Sequence, residues 1–407
     1  MSNLRINPLI LVFFIFPISF LTGPFLPDFL LVIISLIFIY LFFRDKLLSF
    51  SNQTFSKIFL LFIFHIIISG AFSLDPYSSL IDFGGPIFYF RNFIFILAMT
   101  YFFKSEKFVI PIISLSLFIS ILFVLIDGYY QSIFGSNLFG MITKDQNRLT
   151  GIFGKEQILG HYLSYVFPIF FSLYIFFIKK IDKPKQFFLF IFTILVLILS
   201  FLSGDRTAFL KLLLFVFSIG YIVKDLRKLF LGLILFVGFI SIILINFNEK
   251  SKMRFDNTLA DISNNRTMLP ISPGHEDIFY KNYNLFLDFP LLGAGPQMYR
   301  VMCQEFPKYR LNNDGCTTHA HNYYFQTLAE LGIIGLSFLI FFYLFLLKSF
   351  IVNLLKNRDN YPLLLSNIHL IILYLPFISH FNFYNNWTNP TIALSIGVFL
   401  YLKNQKI

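Results

Sequence analysis

Apolar residues run along this chain in blocks about as long as a bilayer-crossing helix, and polar residues gather between the blocks. A helix needs about 20 apolar residues to cross the hydrocarbon core. Twelve stretches approach that length: 9–23, 28–43, 57–74, 86–103, 108–127, 157–178, 186–203, 206–223, 229–247, 320–347, 361–380 and 388–402. The pattern predicts an all-α polytopic membrane protein with about twelve transmembrane helices. It also divides the chain: 1–247 carries the first nine helices, 248–319 is one large polar loop, and 320–407 carries the last three. The first apolar run has the length of a signal sequence. It lacks a convincing small-residue cleavage site, however, and Gly23-Pro24 leads straight into the next block, so it reads as a retained span.

The large loop has structure of its own. Between 277 and 288 the apolar residues Ile278, Phe279, Tyr283, Phe286 and Leu287 follow helical spacing on one face. Pro290 ends that helix, and Gly293-Ala294-Gly295-Pro296 reads as a turn. The expectation is a helix that lies on the membrane surface or packs on the spans, forming one wall of a site.

Composition agrees with the pattern. Apolar residues make up 57% of the 407 residues and charged residues only 13%, against roughly 25% charged in soluble domains. The net charge of +11 suggests nucleic acid until its distribution is considered. Arg44/Lys46, Lys104/Lys107, Lys179/Lys180/Lys183/Lys185, Lys224/Arg227/Lys228, Lys348/Lys356/Arg358 and Lys403/Lys406 all fall on one side of a twelve-span topology. By the positive-inside rule that side is the cytoplasm, so both termini are cytoplasmic and 248–319 is extracytoplasmic. No nucleic-acid-binding motif is visible.

The two cysteines, Cys303 and Cys316, both lie in that loop. An oxidising compartment makes a disulfide the expected state, stabilising by ~3 kcal/mol in the chain-entropy model. A metal site made with His319 and His321 is the alternative, although the spacing lacks a close Cys-x-x-Cys pair. No metal or other cofactor is expected.

Candidate chemistry concentrates at 317–335, where the loop meets the tenth span. His319 and His321 place imidazoles at a bilayer boundary, where burying their charge would be costly. Gly332 and Gly335, three apart, are expected to share a helix face and allow close packing. Glu330 should lie about 13 Å deeper than His321 by helical rise. Arg91, Arg148 and Arg206 sit on the extracytoplasmic side of the topology, so orientation does not explain them. Arg206 follows Asp205 at a span end. A guanidinium offers a fork of donors matched to phosphate oxygens, and a neutral imidazole can accept a hydroxyl proton.

Four segments carry a resemblance. His321-Asn322, then nine residues, then Gly332-Ile-Ile-Gly335 is similar to the signature of the O-antigen ligase and O-antigen polymerase superfamily of bacterial inner membranes. Asp288–Arg300 (DFPLLGAGPQMYR) resembles that family's Pro-Leu-Leu-Gly-x-Gly segment. Arg148–Pro168 resembles its Arg-x-x-Gly-x-Phe stretch, and Ser203–Leu210 its Ser-Gly-x-Arg stretch. The resemblance spans roughly 148–340. It implies a GT-C-like, metal-independent, inverting glycosyltransferase that takes a glycan from undecaprenyl pyrophosphate. The acceptor is lipid A-core in a ligase and another lipid-linked unit in a polymerase; ligase is slightly favoured by the His-Asn-x9-Gly-x-x-Gly spacing. It further implies His321 as general base and Arg206 with Arg148 as pyrophosphate ligands. Arg91, His319, Asn322, Arg300 and His275 are candidate substrate contacts. Where family members often carry an arginine at the start of the loop helix, this chain has His275; Arg254, Arg266, Lys281 or Arg300 are the cations that could replace it. The Pro-Asn common after the Gly-x-Phe stretch is missing, which leaves His161 a further candidate. A lipid-linked oligosaccharide flippase is the distant alternative, but no inverted repeat is evident.

Overall fold

The computed structural model describes residues 8–45, 54–82, 85–142, 148–178, 181–247, 252–253, 256, 260, 273–311 and 315–405. The loop cations Arg254 and Arg266, and Lys46, Lys179, Lys180 and Lys406 of the basic loops, lie outside the described residues.

Fifteen α-helices and no strand occur among the described residues. They are α1 (Pro8–Ser19), α2 (Phe25–Arg44), α3 (Thr54–Ala71), α4 (Pro76–Leu80), α5 (Phe90–Ser105), α6 (Val109–Phe134), α7 (Leu159–Ile178), α8 (Lys183–Leu202), α9 (Arg206–Ile222), α10 (Arg227–Phe247), α11 (Pro273–Asp288), α12 (Met298–Glu305), α13 (Tyr323–Lys356), α14 (Tyr361–Leu373) and α15 (Thr388–Asn404). The protein is an all-α polytopic membrane protein. Every one of the twelve apolar blocks contains a helix. Seven stretches are long and apolar enough to cross a membrane by length and composition; Pro8–Ser19, Phe55–Ala71 and Tyr361–Leu373 are apolar but shorter.

The shortfall has a visible cause in the eleventh block. Its helix stops at Leu373, not near 380, and 374–387 runs as irregular backbone. Such backbone is tolerated at membrane depth only where protein satisfies it. Here Tyr324 Oη donates to the Tyr374 carbonyl, Asn322 Nδ2 to the Ile378 carbonyl, and the Phe383 amide to Gln326 Oε1. α14 is almost wholly buried, against α7, α9, α13 and α15. Elsewhere α5 packs on α2 and α15, and α1 on α6. Lys224 pairs with Asp359 at 2.8 Å, so the α9–α10 and α13–α14 turns share one end of the bundle.

α13 is broken. Gly332 has φ 65° and ψ −166°. This departs from the regular helix face expected for Gly332 and Gly335. The break withdraws the normal i+4 donors from the carbonyls of Ala329, Glu330 and Leu331. Other segments replace them: the amides of Ala294 and Gly295 reach Ala329 and Glu330, Ser69 Oγ also reaches Glu330, and His65 Nε2 reaches Leu331 at 2.8 Å. The Ile333 amide in turn donates to Pro290. A Cβ on Gly332 would strike the Leu291 carbonyl, one on Gly293 would strike the Glu330–Leu331 peptide, and one on Gly335 would strike Leu331 of its own helix. The two glycine motifs therefore meet backbone to backbone at a kink, and do not form a helix-packing face.

Candidate functional site

α11 is the helix expected within the loop, begun earlier at Pro273 and with a different inner face. Ile278, Phe279, Asn282 and Leu285 are buried, while Tyr283 and Leu287 are exposed. The buried set follows i, i+1, i+4, i+7, and Phe279 stacks on Phe325 of α13 at 4.4 Å. Spacing alone did not separate the two faces, because both carry apolar residues.

The face turned to α13 brings His275 to the histidine seam. The ring centroids of His275 and His321 are 5.4 Å apart, and those of His319 and His321 are 4.0 Å apart. His321 sits at φ 52°, a left-handed geometry uncommon for a side chain larger than glycine. The turn is held from both sides. The His380 amide donates to the His321 carbonyl at 2.7 Å. Asn322 accepts from the amides of Tyr324 and Phe325 to cap α13. His319 is placed by its own loop: Thr317 Oγ1 donates to its carbonyl, and Thr318 Oγ1 meets its Nδ1 at 3.0 Å.

Burial dominates the electrostatics. It lowers His321 to about 4, with the neighbouring His275 as a further cause. Burial lowers His319 to about 3, helped by His321 and Arg300. His275 is lowered by burial as well. All three are neutral at neutral pH and keep a lone pair for a proton.

The loop behind them is clasped. Cys303 and Cys316 are joined, with Cα atoms 5.7 Å apart. Both thiols are committed, so the alternative Cys-Cys-His-His metal site loses its thiolate ligands. Lys308, inside the closed loop, pairs with Asp288 at 2.6 Å, and Tyr309 donates to the same carboxylate, fixing the loop to the end of α11. Those contacts hold Asp288 below the usual carboxylate range.

The arginines gather elsewhere. Arg148 Nη1 lies 3.5 Å from Asp205, next to the exposed Arg206. Gly160 at the head of α7 packs so closely on Ser203 and Asp205 that a Cβ would meet both. The structure thus brings Arg148, Gly160 and the 203–206 turn together. Arg300 donates to Gln297 Oε1, part of a buried polar network that runs through Asn382 and Gln326 to Glu330. Two expected contacts have other partners. Arg91 binds Asp28 and Asn386, each at 2.8 Å, tying α2 and α5 to the 374–387 segment. Asn322 is 1% exposed, and its amide caps α13 and holds the Ile378 carbonyl. It is a positioning residue, because its polar ends are spent within the protein.

Two residues escaped the sequence reading. His380 carries the irregular segment to His321. Lys211 lies buried in α9, five positions after Arg206. A signal for both existed: ionisable groups inside apolar blocks are functional candidates by default.

Residues 191–340 match the family model described as O-antigen ligase. The match begins in α8, covers the Ser203–Arg206 turn and the loop, and ends just past Gly335. No curated protein matches the chain. Members of the matched family are glycosyltransferase-like enzymes that act on lipid-linked glycans and acceptors in general. The histidine seam, the α13 kink and the Ser203–Arg206 turn all fall inside the matched stretch, and the match supports a relationship to the O-antigen ligase and O-antigen polymerase superfamily.

Proposed function

We propose that the protein transfers a glycan from undecaprenyl pyrophosphate to an acceptor hydroxyl on the periplasmic side of the inner membrane. The product favoured is O-antigen joined to lipid A-core. The observation that carries this reading is the His275–His319–His321 cluster, neutral and pinned in a strained turn on the matched domain. His321 takes the acceptor proton as its oxygen attacks the anomeric carbon from the face opposite the leaving group. The bond from that carbon to the pyrophosphate oxygen breaks, its electron pair leaves with the oxygen, and the anomeric centre inverts. Arg206 and Arg148 meet the developing charge on the leaving group. The anionic donor also favours the imidazolium, so a base that is weak in the free protein strengthens once the donor is bound. His319 and His275 orient His321 and line the acceptor side; Arg300 stands behind them. No step uses a metal ion.

A polymerase uses the same donor and differs only in the acceptor. The lipopolysaccharide ladder of a deletion strain separates the two. Polymer left on the carrier supports ligase, and a core bearing one repeat unit supports polymerase. Glycan held on the cytoplasmic leaflet would instead favour a flippase and overturn the enzyme reading.

A further inference from the structure

Lys211 is 2% exposed, in the second turn of α9. Its Nζ donates to the Ser379 carbonyl at 3.4 Å and lies 5.3 Å from the centre of the Tyr165 ring. It makes no ion pair among the described residues; Asp205, at the head of the same helix, is the acid whose charge reaches it. An ammonium has three protons to place, and burying one without a counter-charge is strongly unfavourable.

The groups around Lys211 add no negative charge. His161, His369 and His380 are the imidazoles near enough to feel it. The hydroxyls of Tyr165 and Tyr323 pair with each other, and Nδ1 of His161 makes no hydrogen bond among the described residues. These residues form one cluster. Phe381 packs on His161 at 4.7 Å and on Tyr165 at 6.3 Å, and Tyr323 stacks on His380 at 4.3 Å. Buried polar groups are normally satisfied, so a buried ammonium with one distant acceptor and no counter-charge, beside two hydroxyls paired only with each other, calls for a ligand. The cluster also lies between the two halves of the site. On one side Asp205 holds Arg148, and on the other the His380 amide holds His321.

We infer that this cluster is an anion subsite, in which Lys211 Nζ and the hydroxyls of Tyr165 and Tyr323 take oxygens of the donor's diphosphate, inward of Arg206 and Arg148. The inference rests on the lipid-diphosphate reading above and adds a cation that no motif marks. His380 Nε2 faces the Leu373 carbonyl at 3.0 Å. A carbonyl only accepts, so Nε2 carries the proton there. The donors to the anion are therefore the ammonium and the phenols.

The test compares purified wild type with Lys211→Met, Lys211→Arg and Tyr165→Phe/Tyr323→Phe. It measures kcat, KM for the polyprenyl-diphosphate donor, KM for the acceptor, and the shift in melting temperature caused by inorganic diphosphate. Lys211→Met should raise donor KM at least tenfold, leave acceptor KM unchanged and abolish the diphosphate shift. Lys211→Arg should restore most of that shift. If Lys211→Met does not fold, the phenylalanine pair, which removes only hydroxyls, should still raise donor KM severalfold. Wild-type donor KM in Lys211→Met or in the phenylalanine pair, or no diphosphate shift in wild type, overturns the subsite. Arg206→Ala separates the two ideas. If it is inactive while Lys211→Met behaves as wild type, only the subsite falls; if it transfers normally, the donor reading itself falls.

Discussion

The molecule has two histidine clusters, built in opposite ways. His275, His319 and His321 come from a loop helix and a loop end, touch ring to ring, and lie half-buried at the polar side. His161, His369 and His380 come from α7, α14 and the irregular segment, and surround a buried lysine. The first cluster is suited to hold a lone pair where an acceptor arrives. The second surrounds a cation without supplying it a counter-charge. One residue type serves both because a neutral imidazole carries a donor and an acceptor, and its neighbours decide which of them is used. The main chain between His380 and His321 couples the two.

Removing the proposed base, His321, is the sharpest way to break this contrast. His321→Ala should cost ~10²–10⁴ in transfer rate, the usual worth of a positioned acid–base group. Its melting temperature should stay near wild type, and a purified, metal-free assay that retains transfer would sink the assignment. Gly332→Ala attacks the support instead. A Cβ at φ 65° facing the Leu291 carbonyl combines backbone strain with overpacking, each ~1–3 kcal/mol. Thermal unfolding should fall sharply and transfer should fall with it. Cys303→Ser should weaken the loop by up to ~3 kcal/mol while leaving chemistry largely intact in the cold. Limited proteolysis of 303–316 reads that effect, and a thiol that labels in the native protein would refute the bond.

Acid tests the first cluster as a unit. His321 and His319 bind protons at about 4 and about 3 when folded, against about 6.5 when unfolded. The unfolded state thus takes up more protons below that value, and loop stability, complete above it, declines as pH falls from about 6.5. The acidic limb of kcat/KM for free enzyme should lie near 4; a limb near 6.5 would mean that His321 is not buried in solution. Asn322→Ala gives the smallest effect, ~1 kcal/mol for a lost cap, seen as a modest drop in melting temperature.

Much of this was legible because it is local. Apolar blocks placed the helices, since a bilayer demands length. The seam and the loop disulfide could be read because their residues are close in sequence. The inner face of α11 was not legible, since Tyr283 and Leu287 are as apolar as the residues that are buried. Gly332 was read as a packing glycine because spacing does not reveal a φ. Lys211 and His380 stayed unassigned because their partners lie on other helices, 168 residues apart for Lys211 and Ser379. Arg91 stands out in the sequence as an extracytoplasmic cation, and its partners Asp28 and Asn386 lie 63 and 295 residues away.

The break at Gly332 also has a consequence for how the protein is made. Its carbonyls are satisfied by His65 and Ser69, 266 and 261 residues earlier in the chain. When α3 enters the membrane, most of the protein has not been synthesised, and these two polar side chains have no partner there. They wait through six further apolar helices and the loop. Only when α13 arrives does the kink close, and it draws the 290–296 strip and the histidine seam into register together. The site is thus a late product of synthesis: a chain interrupted before α13 has every arginine of the donor side and none of the geometry that uses them.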